Sequence, residues 1–203
     1  SDIDSQVDLY NYLIIALMTI KLGLIKILGT KKKNVVVTGD KQGLGKAISE
    51  IFDINGFTVI PYGVRRSIEE IRQFFDIYPY PKIDYLVNNY GINHLNWIGS
   101  IEEQDYQILD MNVKLPSMVV NELVARKLGP TRILNIVSQT YKIPQRCTSI
   151  YCASKAAVVQ MTKVMARELA EKGYAVNALA PGKIMDTRMS ELTAQDPFSD
   201  PER

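Results

Sequence analysis

The distribution of apolar and polar positions predicts that strands and helices alternate along the chain after residue 30. Short β-branched or aromatic runs, such as NVVVTG at 34–39, end in glycine or a polar residue and are typical of buried strands. Stretches with apolar residues at helical spacing lie between them. The predicted strands are 34–39, 57–63, 83–89, 132–139 and 174–182, and the predicted helices are 44–56, 67–78, 100–129 and 149–173, with Pro116 as a kink or join in the third helix.

This alternation predicts an α/β fold, in which a Rossmann-like, doubly wound parallel sheet carries helices on both faces. Ligands of such sheets bind at the carboxyl ends of the strands. We therefore expect the functional site at that edge, because polar or turn residues follow the predicted strands there. These residues are Thr38-Gly39, Asn88-Asn89, Ser138 and Pro181-Gly182.

The first thirty residues differ from the rest of the chain. Residues 12–29 are apolar on nearly every helical face and are interrupted by Lys21, Gly23 and Lys26. We favour a helix that packs on the main domain or on a partner subunit. The alternatives are a membrane-surface helix with snorkelling lysines and, least favoured because of those lysines, a membrane span. The predicted organisation is an apolar helical appendage at 1–30 and one domain at 31–203.

Charge and composition narrow the function classes. The 203 residues carry 24 Lys and Arg against 22 Asp and Glu, and a net charge of +2 gives no argument for a nucleic-acid partner. Cys147, Cys152 and His94 are the only cysteines and histidine, so neither a disulfide framework nor a metal site is predicted. We therefore expect a cytoplasmic protein, with membrane association through residues 12–29 as the alternative.

The segment TGDKQGLGKA at 38–47 leaves the first predicted strand and opens the first predicted helix. Its glycines allow a tight turn and a close approach to a ligand, and the helix N-terminus then offers free N–H groups to a pyrophosphate. The spacing G-x-x-x-G-x-G lacks the Lys-Ser/Thr ending of a nucleoside-triphosphatase loop. The predicted nucleotide-binding residues here are Thr38, Gly39, Lys41, Gly43, Leu44 and Gly45.

The end of the second predicted strand bears on which nucleotide binds. An acidic residue there would favour NAD, but the chain has Arg65 and Arg66 instead. Two guanidinium groups suit a 2′-phosphate. We therefore predict NADP(H), with NAD(H) as the alternative if these arginines are only solvated loop charges.

Tyr151 and Lys155 lie four residues apart at the start of a strong helix, so they share one face. Small residues between them leave room around the pair. A phenol has a pKa of about 10, and a nearby ammonium favours the phenolate. We therefore expect a lowered pKa for Tyr151, which would suit the phenol for proton transfer. Taken alone, the pair could also be an ordinary surface contact.

The motifs TGDKQGLG, NNYG, YCASK and PG occur in this order, with Ser138 thirteen residues before Tyr151. In these motifs the chain resembles the short-chain dehydrogenase/reductase family over about residues 34–189, and most of all its single-domain members such as 3-oxoacyl-carrier-protein reductases. The resemblance implies a catalytic tetrad in which Tyr151 is the acid/base, Lys155 activates it, Ser138 holds the substrate oxygen and Asn112 anchors a relay water. It also implies a cofactor site completed by Asn88, Asn89, Gly91, Tyr151, Lys155, Pro181, Gly182 and Thr187.

The resemblance implies an oxidoreductase that reduces a carbonyl or oxidises the alcohol by hydride transfer, with a small molecule such as a 3-oxoacyl thioester as substrate. It further implies a homodimer or homotetramer built through the helices at 100–129 and 149–173. Trp97, Ile143 and Met189 suggest an apolar ligand.

The chain departs from the family pattern in three ways. One strand–helix unit and the last strand of the sheet are missing, and Tyr90 replaces a customary alanine. A nucleotide-binding or scaffold protein with little turnover is therefore the alternative function.

Overall fold

The structure, a computed structural model, describes residues 32–184, and five strands in this range form one sheet. Every neighbouring pair of strands is parallel, and the order across the sheet is β2-β1-β3-β4-β5. The predicted α/β fold is confirmed. The strands are β1 (Asn34–Val37), β2 (Thr58–Pro61), β3 (Tyr85–Asn88), β4 (Arg132–Ile136) and β5 (Ala175–Leu179).

Helices connect the strands at the positions that the apolar spacing predicts, and most elements are a few residues shorter than predicted. The α-helices are α1 (Gly43–Ile54), α2 (Ile68–Asp76), α3 (Gln107–Leu109), α4 (Leu115–Ala125) and α5 (Ser149–Ala170). Two 3₁₀ turns, Glu103–Tyr106 and Gln139–Tyr141, and a π-helical turn, Asp110–Lys114, complete the described elements.

Helices cover the sheet on both faces because strand side chains alternate in direction. In β1, Val35 and Val37 pack with Ile48 and Phe52 of α1. Val36 points to the opposite face, into a larger cluster formed with α2, α4 and α5. All three valines are fully buried. The continuous apolar strand therefore serves two cores, as expected for a parallel sheet buried on both sides.

The connection between β2 and β3 is short, as the sequence predicts. It consists of the single helix α2, whose first turn is capped by the Ser67 hydroxyl accepting the backbone N–H of Glu70 at 3.1 Å. Phe74 and Phe75 lie inside this helix and are buried. Among the described residues β2 is an edge strand. The predicted loss of the last strand concerns residues beyond 184 and lies outside the described range.

The predicted helix at 100–129 is divided into several pieces. It begins with a 3₁₀ turn, and the π-helical turn joins α3 to α4. Pro116 falls at the start of α4, where a missing N–H has little cost. The apolar spacing alone did not predict this change of helical type, which brings Asn112 into the interior.

No helix within residues 32–184 is long and apolar enough to cross a membrane. The apolar segment at 12–29, on which the predictions of packing and membrane contact depend, lies outside the described residues.

A buried polar chain links β3, β4 and α5. The side-chain amide of Asn88 donates to Asn135 Oδ1 at 2.9 Å, and the amide of Asn135 donates to Thr162 Oγ1 at 2.9 Å. The Thr162 hydroxyl donates onward to the backbone carbonyl of Val158 at 2.7 Å. Asn88 thus connects the central strands to the helix that carries the candidate catalytic residues.

We expect Thr162→Val to lower the free energy of unfolding by about 1–3 kcal/mol, because the buried Asn135 amide would lose its acceptor. Thr140→Val is the matched control. Thr140 is equally buried, but its hydroxyl has no hydrogen-bond partner among residues 32–184. Urea denaturation should therefore show an unchanged free energy of unfolding for the control. Equal losses in both variants would mean that the chain of hydrogen bonds contributes nothing specific.

Candidate active site

The loops that follow β1 and β3 are held together by reciprocal hydrogen bonds. The backbone N–H groups of Asn89 and Tyr90 both donate to Thr38 Oγ1 at 3.0 Å. The side-chain amide of Asn89 donates in return to the Thr38 carbonyl at 3.1 Å. Thr38 and Asn89 therefore fix the position of the glycine-rich loop relative to the centre of the sheet.

The glycine-rich loop is packed too tightly for side chains at two of its glycines. A Cβ on Gly45 would overlap the carbonyl of Gly39 and would lie 2.5 Å from Asn89 Nδ2. Gly39 itself has φ of +71°, a region that favours glycine. Gln42, at the N-cap of α1, makes no side-chain capping bond, and no acidic residue occupies the first turn. The helix N-terminus can therefore accept an anion.

Tyr151 and Lys155 lie on the buried face of α5. Tyr151 is 7% exposed and Lys155 is 5% exposed. The Lys155 ammonium lies 5.5 Å from the centroid of the Tyr151 ring and donates to the Ile136 carbonyl at 3.2 Å. Ser138 follows β4 directly, and its hydroxyl accepts the backbone N–H of Thr140 at 3.3 Å. The end of β4 thus brings Ser138 and the Lys155 ammonium into one region.

Burial shifts both pKa values away from the charged forms. Loss of water raises the pKa of Tyr151, a hydrogen bond with Ser138 opposes this shift, and the neighbouring Cys152 adds to it. Burial lowers the pKa of Lys155 to about 8. The expectation of a lowered phenol pKa is therefore wrong for the protein by itself, since desolvation outweighs the hydrogen bond with Ser138.

Asn112 lies beneath the loop that follows β3 and is 2% exposed. Its amide oxygen accepts the Ile92 N–H at 2.8 Å, and its amide nitrogen donates to the Ile92 carbonyl at 2.9 Å and to Ser154 Oγ at 3.1 Å. A Cβ on Gly91 would lie 3.1 Å from Asn112 Oδ1 and 3.4 Å from Lys155 Nζ. Asn112 and the Lys155 ammonium therefore both lie next to Gly91.

A cavity of about 810 Å³ opens at the carboxyl ends of the strands and joins the glycine-rich loop to Tyr151. Most of the predicted site residues line it: Gly39, Lys41, Gly43, Leu44, Asn89, Gly91, Ser138, Tyr151, Lys155, Pro181 and Gly182. Four predicted residues do not line the cavity but contact residues that do or support the strands below it: Thr38, Gly45, Asn88 and Asn112. Thr187 lies outside the described residues.

The two arginines predicted to bind a 2′-phosphate do not line this cavity. The Arg65 guanidinium lies over the rings of Tyr62 and Phe74, at 5.3 Å and 5.8 Å from their centroids. Arg66 is exposed, and its backbone N–H donates to Glu70 Oε2 at 2.7 Å. Lys41 lines the cavity close to them, and its ammonium lies 3.4 Å from the buried Asp40 carboxylate.

Sequence reasoning named the wrong apolar residues for the cavity and missed several polar ones. Trp97 and Ile143 do not line it, and Met189 lies outside the described residues. The cavity also has polar loop residues that the motifs do not include, some of them next to predicted site residues: Gln139, Thr140, Gln145, Arg146 and Lys183.

The family model described as short chain dehydrogenase matches residues 64–197. The chain belongs to the short-chain dehydrogenase family. Members of this family are NAD(P)-dependent oxidoreductases of small molecules, and that class of activity applies to this chain. The family match begins after the glycine-rich loop, so the geometry of that loop is an observation independent of the match.

Relatives within the short-chain dehydrogenases have different substrates. The chain is 30% identical to an NAD-dependent glycerol dehydrogenase of Listeria innocua, with 83% of this chain and 76% of the relative covered. It is 32% identical to an L-xylulose reductase of Caenorhabditis elegans, with 84% of this chain and 77% of the relative covered. It is 30% identical to a 3-oxoacyl-[acyl-carrier-protein] reductase of Chlamydia pneumoniae, with 79% and 76% covered.

The solved structures agree with the family. The ligand-free aldohexose dehydrogenase of Thermoplasma acidophilum matches with a TM-score of 0.74 and 27% identity, over 85% of this chain and 74% of that one.

We expect Lys155→Met to raise the free energy of unfolding at pH 7 by up to about 3 kcal/mol, the equivalent of a pKa lowered from 10.5 to about 8. Because the folded state binds fewer protons than the unfolded state between these values, wild-type stability should rise with pH from 8 to 10.5. The advantage of the variant should shrink across the same range. Denaturation at pH 7 and pH 9.5 measures both effects.

Lys163→Met, at an exposed position of the same helix, is the control and should show no such pH-dependent gain. A Lys155→Met variant that is less stable than wild type at pH 7 would contradict a strained buried ammonium.

Proposed function

We propose that this protein is an NADP(H)-dependent oxidoreductase that reduces a carbonyl, or oxidises the corresponding alcohol, with Tyr151 as the acid/base. The observation that carries the proposal is the burial of Tyr151 and Lys155 against Ser138, in the cavity that also contains the glycine-rich loop. Asn112 completes the proposed tetrad beneath Gly91.

The residues present fit a dinucleotide. The Gly39–Gly45 contact leaves no room for side chains where a pyrophosphate would approach, and the first turn of α1 carries no competing acid. A cavity of about 810 Å³ lies within the usual range for cofactor sites. When bound, the nicotinamide supplies or accepts the hydride. Lys41, Gly43 and Leu44 would hold the phosphate half, and Pro181 and Gly182 would border the nicotinamide half.

Proton transfer is the task proposed for the chain's own residues. Burial keeps the Tyr151 phenol protonated at neutral pH, so its hydroxyl can donate a proton to a substrate oxygen that Ser138 also binds. The phenolate left behind is stabilised by the Lys155 ammonium, because the attraction between opposite charges is strong where water is excluded. Since the pKa of Lys155 is about 8, this group can return a proton to the phenolate near neutral pH.

The choice between cofactors is part of the proposal. Arg65 and Arg66 follow β2, and Lys41 lines the cavity. The Asp40 carboxylate also lies at this end of β2, where it accepts the backbone N–H of Gly63 and pairs with Lys41. The two arginines are therefore the cations proposed to bind a 2′-phosphate, and hence NADP(H). One relative is named as NAD-dependent, which keeps NAD(H) as the alternative.

The substrate has two candidate classes. The resemblance favours a 3-oxoacyl thioester, and one relative is named as a reductase of that type. Other relatives are named for glycerol, galactitol and L-xylulose. Asn93 and Thr140 line the cavity with buried oxygens that have no hydrogen-bond partner among the described residues, and this favours a hydroxylated substrate of the second class. A homodimer or homotetramer and a cytoplasmic location stay predictions.

We expect Tyr151→Phe to reduce kcat for carbonyl reduction by about 100-fold or more, because the proton donor is removed. The affinity for NADPH should stay within about twofold, since the phenol oxygen is the only group lost. Oxidation of NADPH, followed by absorbance, measures turnover with a panel containing an acetoacetyl thioester and hydroxyketones. Fluorescence titration measures the affinity for NADPH.

Tyr141→Phe is the matched control, because this tyrosine is 40% exposed and does not line the cavity. It should retain wild-type turnover. Tight NADPH binding without turnover of any carbonyl in the wild type would favour the alternative, a nucleotide-binding or scaffold protein. Equal loss in both variants would remove Tyr151 from the mechanism.

We expect Arg66→Gln to weaken NADPH binding by about tenfold and to leave NADH binding within about twofold, since only NADPH carries the 2′-phosphate that a charge-assisted bond would hold. Arg66 is preferred over Arg65, whose removal would also disturb the packing on Tyr62. Arg167→Gln, in the last turn of α5, is the control. A parallel change in affinity for both cofactors would count against phosphate recognition by Arg66.

A further inference from the structure

The side chains that line the cavity carry charge of one sign. Four cationic residues line it: Lys41, Arg146, Lys155 and Lys183. No Asp or Glu is among the described lining residues. A cavity wall of one sign concentrates ligands of the opposite sign, so the whole site favours anionic ligands.

Two of these cations already have partners or tasks at the cofactor side. The Lys41 ammonium lies 3.4 Å from the Asp40 carboxylate, next to the glycine-rich loop. The Lys155 ammonium is buried and donates to the Ile136 carbonyl. Neither Arg146 nor Lys183 forms an ion pair with a carboxylate within residues 32–184.

The fold separates these two cations from the phosphate-binding loop. That loop follows β1, whereas Arg146 follows β4 and Lys183 follows β5. Because β3 lies between β1 and β4, the ends of β1 and β4 are about 10 Å apart at the usual strand spacing. Arg146 also precedes Tyr151 by only five residues. Arg146 and Lys183 therefore belong to the half of the cavity that faces Ser138 and Tyr151.

The backbone around Arg146 is anchored on both sides. The Thr148 hydroxyl donates to the Gln145 carbonyl at 2.9 Å. The backbone N–H of Asn96 donates to the Cys147 carbonyl at 2.9 Å. These bonds connect the loop that carries Arg146 both to the start of α5 and to the loop that follows β3. The guanidinium is thus an exposed group on a positioned backbone at the mouth of the cavity.

Two buried polar side chains line the same cavity as Arg146 and the catalytic residues. Asn93 and Thr140 both line the cavity and are 9% and 5% exposed. Asn93 Oδ1 and Thr140 Oγ1 have no hydrogen-bond partner among the described residues. Buried polar groups are usually hydrogen-bonded, so these two oxygens offer hydrogen-bond positions to the hydroxyl groups of a ligand.

We propose that the substrate is a small hydroxylated compound with an anionic group, a carboxylate or a phosphate, that Arg146 binds while Tyr151 acts at the carbonyl or alcohol carbon. Lys183 adds to the positive field at the same end. This inference rests on the proposed function, because it assigns the second half of the same cavity. It replaces the apolar ligand that Trp97, Ile143 and Met189 suggested.

The test compares polyols of one carbon skeleton with derivatives that carry a carboxylate or a phosphate. Glycerol, glycerate and glycerol 3-phosphate form one set, and sorbitol, gluconate and sorbitol 6-phosphate form a larger one. Calorimetry on the protein saturated with NADP⁺ measures binding at constant ionic strength, and NADP⁺ reduction measures turnover. Wild type should bind at least one anionic member about tenfold more tightly than the neutral member of its set, the size of one charge-assisted hydrogen bond.

Arg146→Gln should abolish this preference while leaving binding of the neutral member and of NADPH within about twofold. Arg146→Lys should retain part of it. Lys142→Gln, an exposed lysine of the same loop that does not line the cavity, is the matched control and should leave the preference unchanged. The preferred member of each set distinguishes a carboxylate from a phosphate.

Equal binding of charged and neutral members by wild type, or an unchanged preference in Arg146→Gln, would overturn the proposal. Because binding is measured separately from turnover, the two claims can fail independently. Anion binding that depends on Arg146 without any NADP⁺ reduction would support the subsite and contradict the proposed function. Turnover that is lost in Tyr151→Phe, together with equal binding of charged and neutral ligands, would support the proposed function and contradict the subsite.

Discussion

The hydrogen bonds between Thr38 and Asn89 are the constraint on which the site depends. They join the loop after β1 to the loop after β3, so the glycine-rich segment cannot move independently of the central strands. Gly91, in the second of these loops, lies directly over Asn112 and the Lys155 ammonium. The residues proposed to hold the phosphates and those proposed to move the proton are therefore positioned by one short set of contacts.

The buried Lys155 ammonium is the second feature that shapes the site, and it acts against stability. Burial lowers its pKa to about 8, and the ammonium lies against the Ile136 carbonyl and the Tyr151 ring. A buried ammonium lowers the free energy of unfolding at neutral pH. Groups that are unfavourable for stability in this way are concentrated at functional sites. Tyr151 has the complementary shift, since burial keeps its phenol protonated. The pair is therefore suited to donate a proton during reduction.

The sequence predicted the features that depend on local periodicity or on spacing. Alternating strand and helix patterns indicated the sheet and its short β2–β3 connection, and the four-residue spacing indicated that Tyr151 and Lys155 share a face. Features set by long-range packing could not be predicted in this way. Whether the pKa of Tyr151 is raised or lowered depends on how far its surroundings exclude water. The placement of Arg65 over Tyr62 and the approach of Arg146 to the cavity depend on loops that no local motif describes.

The most direct measurement of the central claim is deuterium transfer from NADPH labelled at the nicotinamide C4 position, in either configuration, to a carbonyl reduced by this protein. Mass spectrometry of the alcohol product detects it. The account predicts that the product gains one deuterium from one of the two labelled cofactors, and that Tyr151→Phe suppresses its formation. Product without cofactor-derived deuterium from either label, or deuterated product formed equally well by Tyr151→Phe, would contradict hydride transfer assisted by Tyr151.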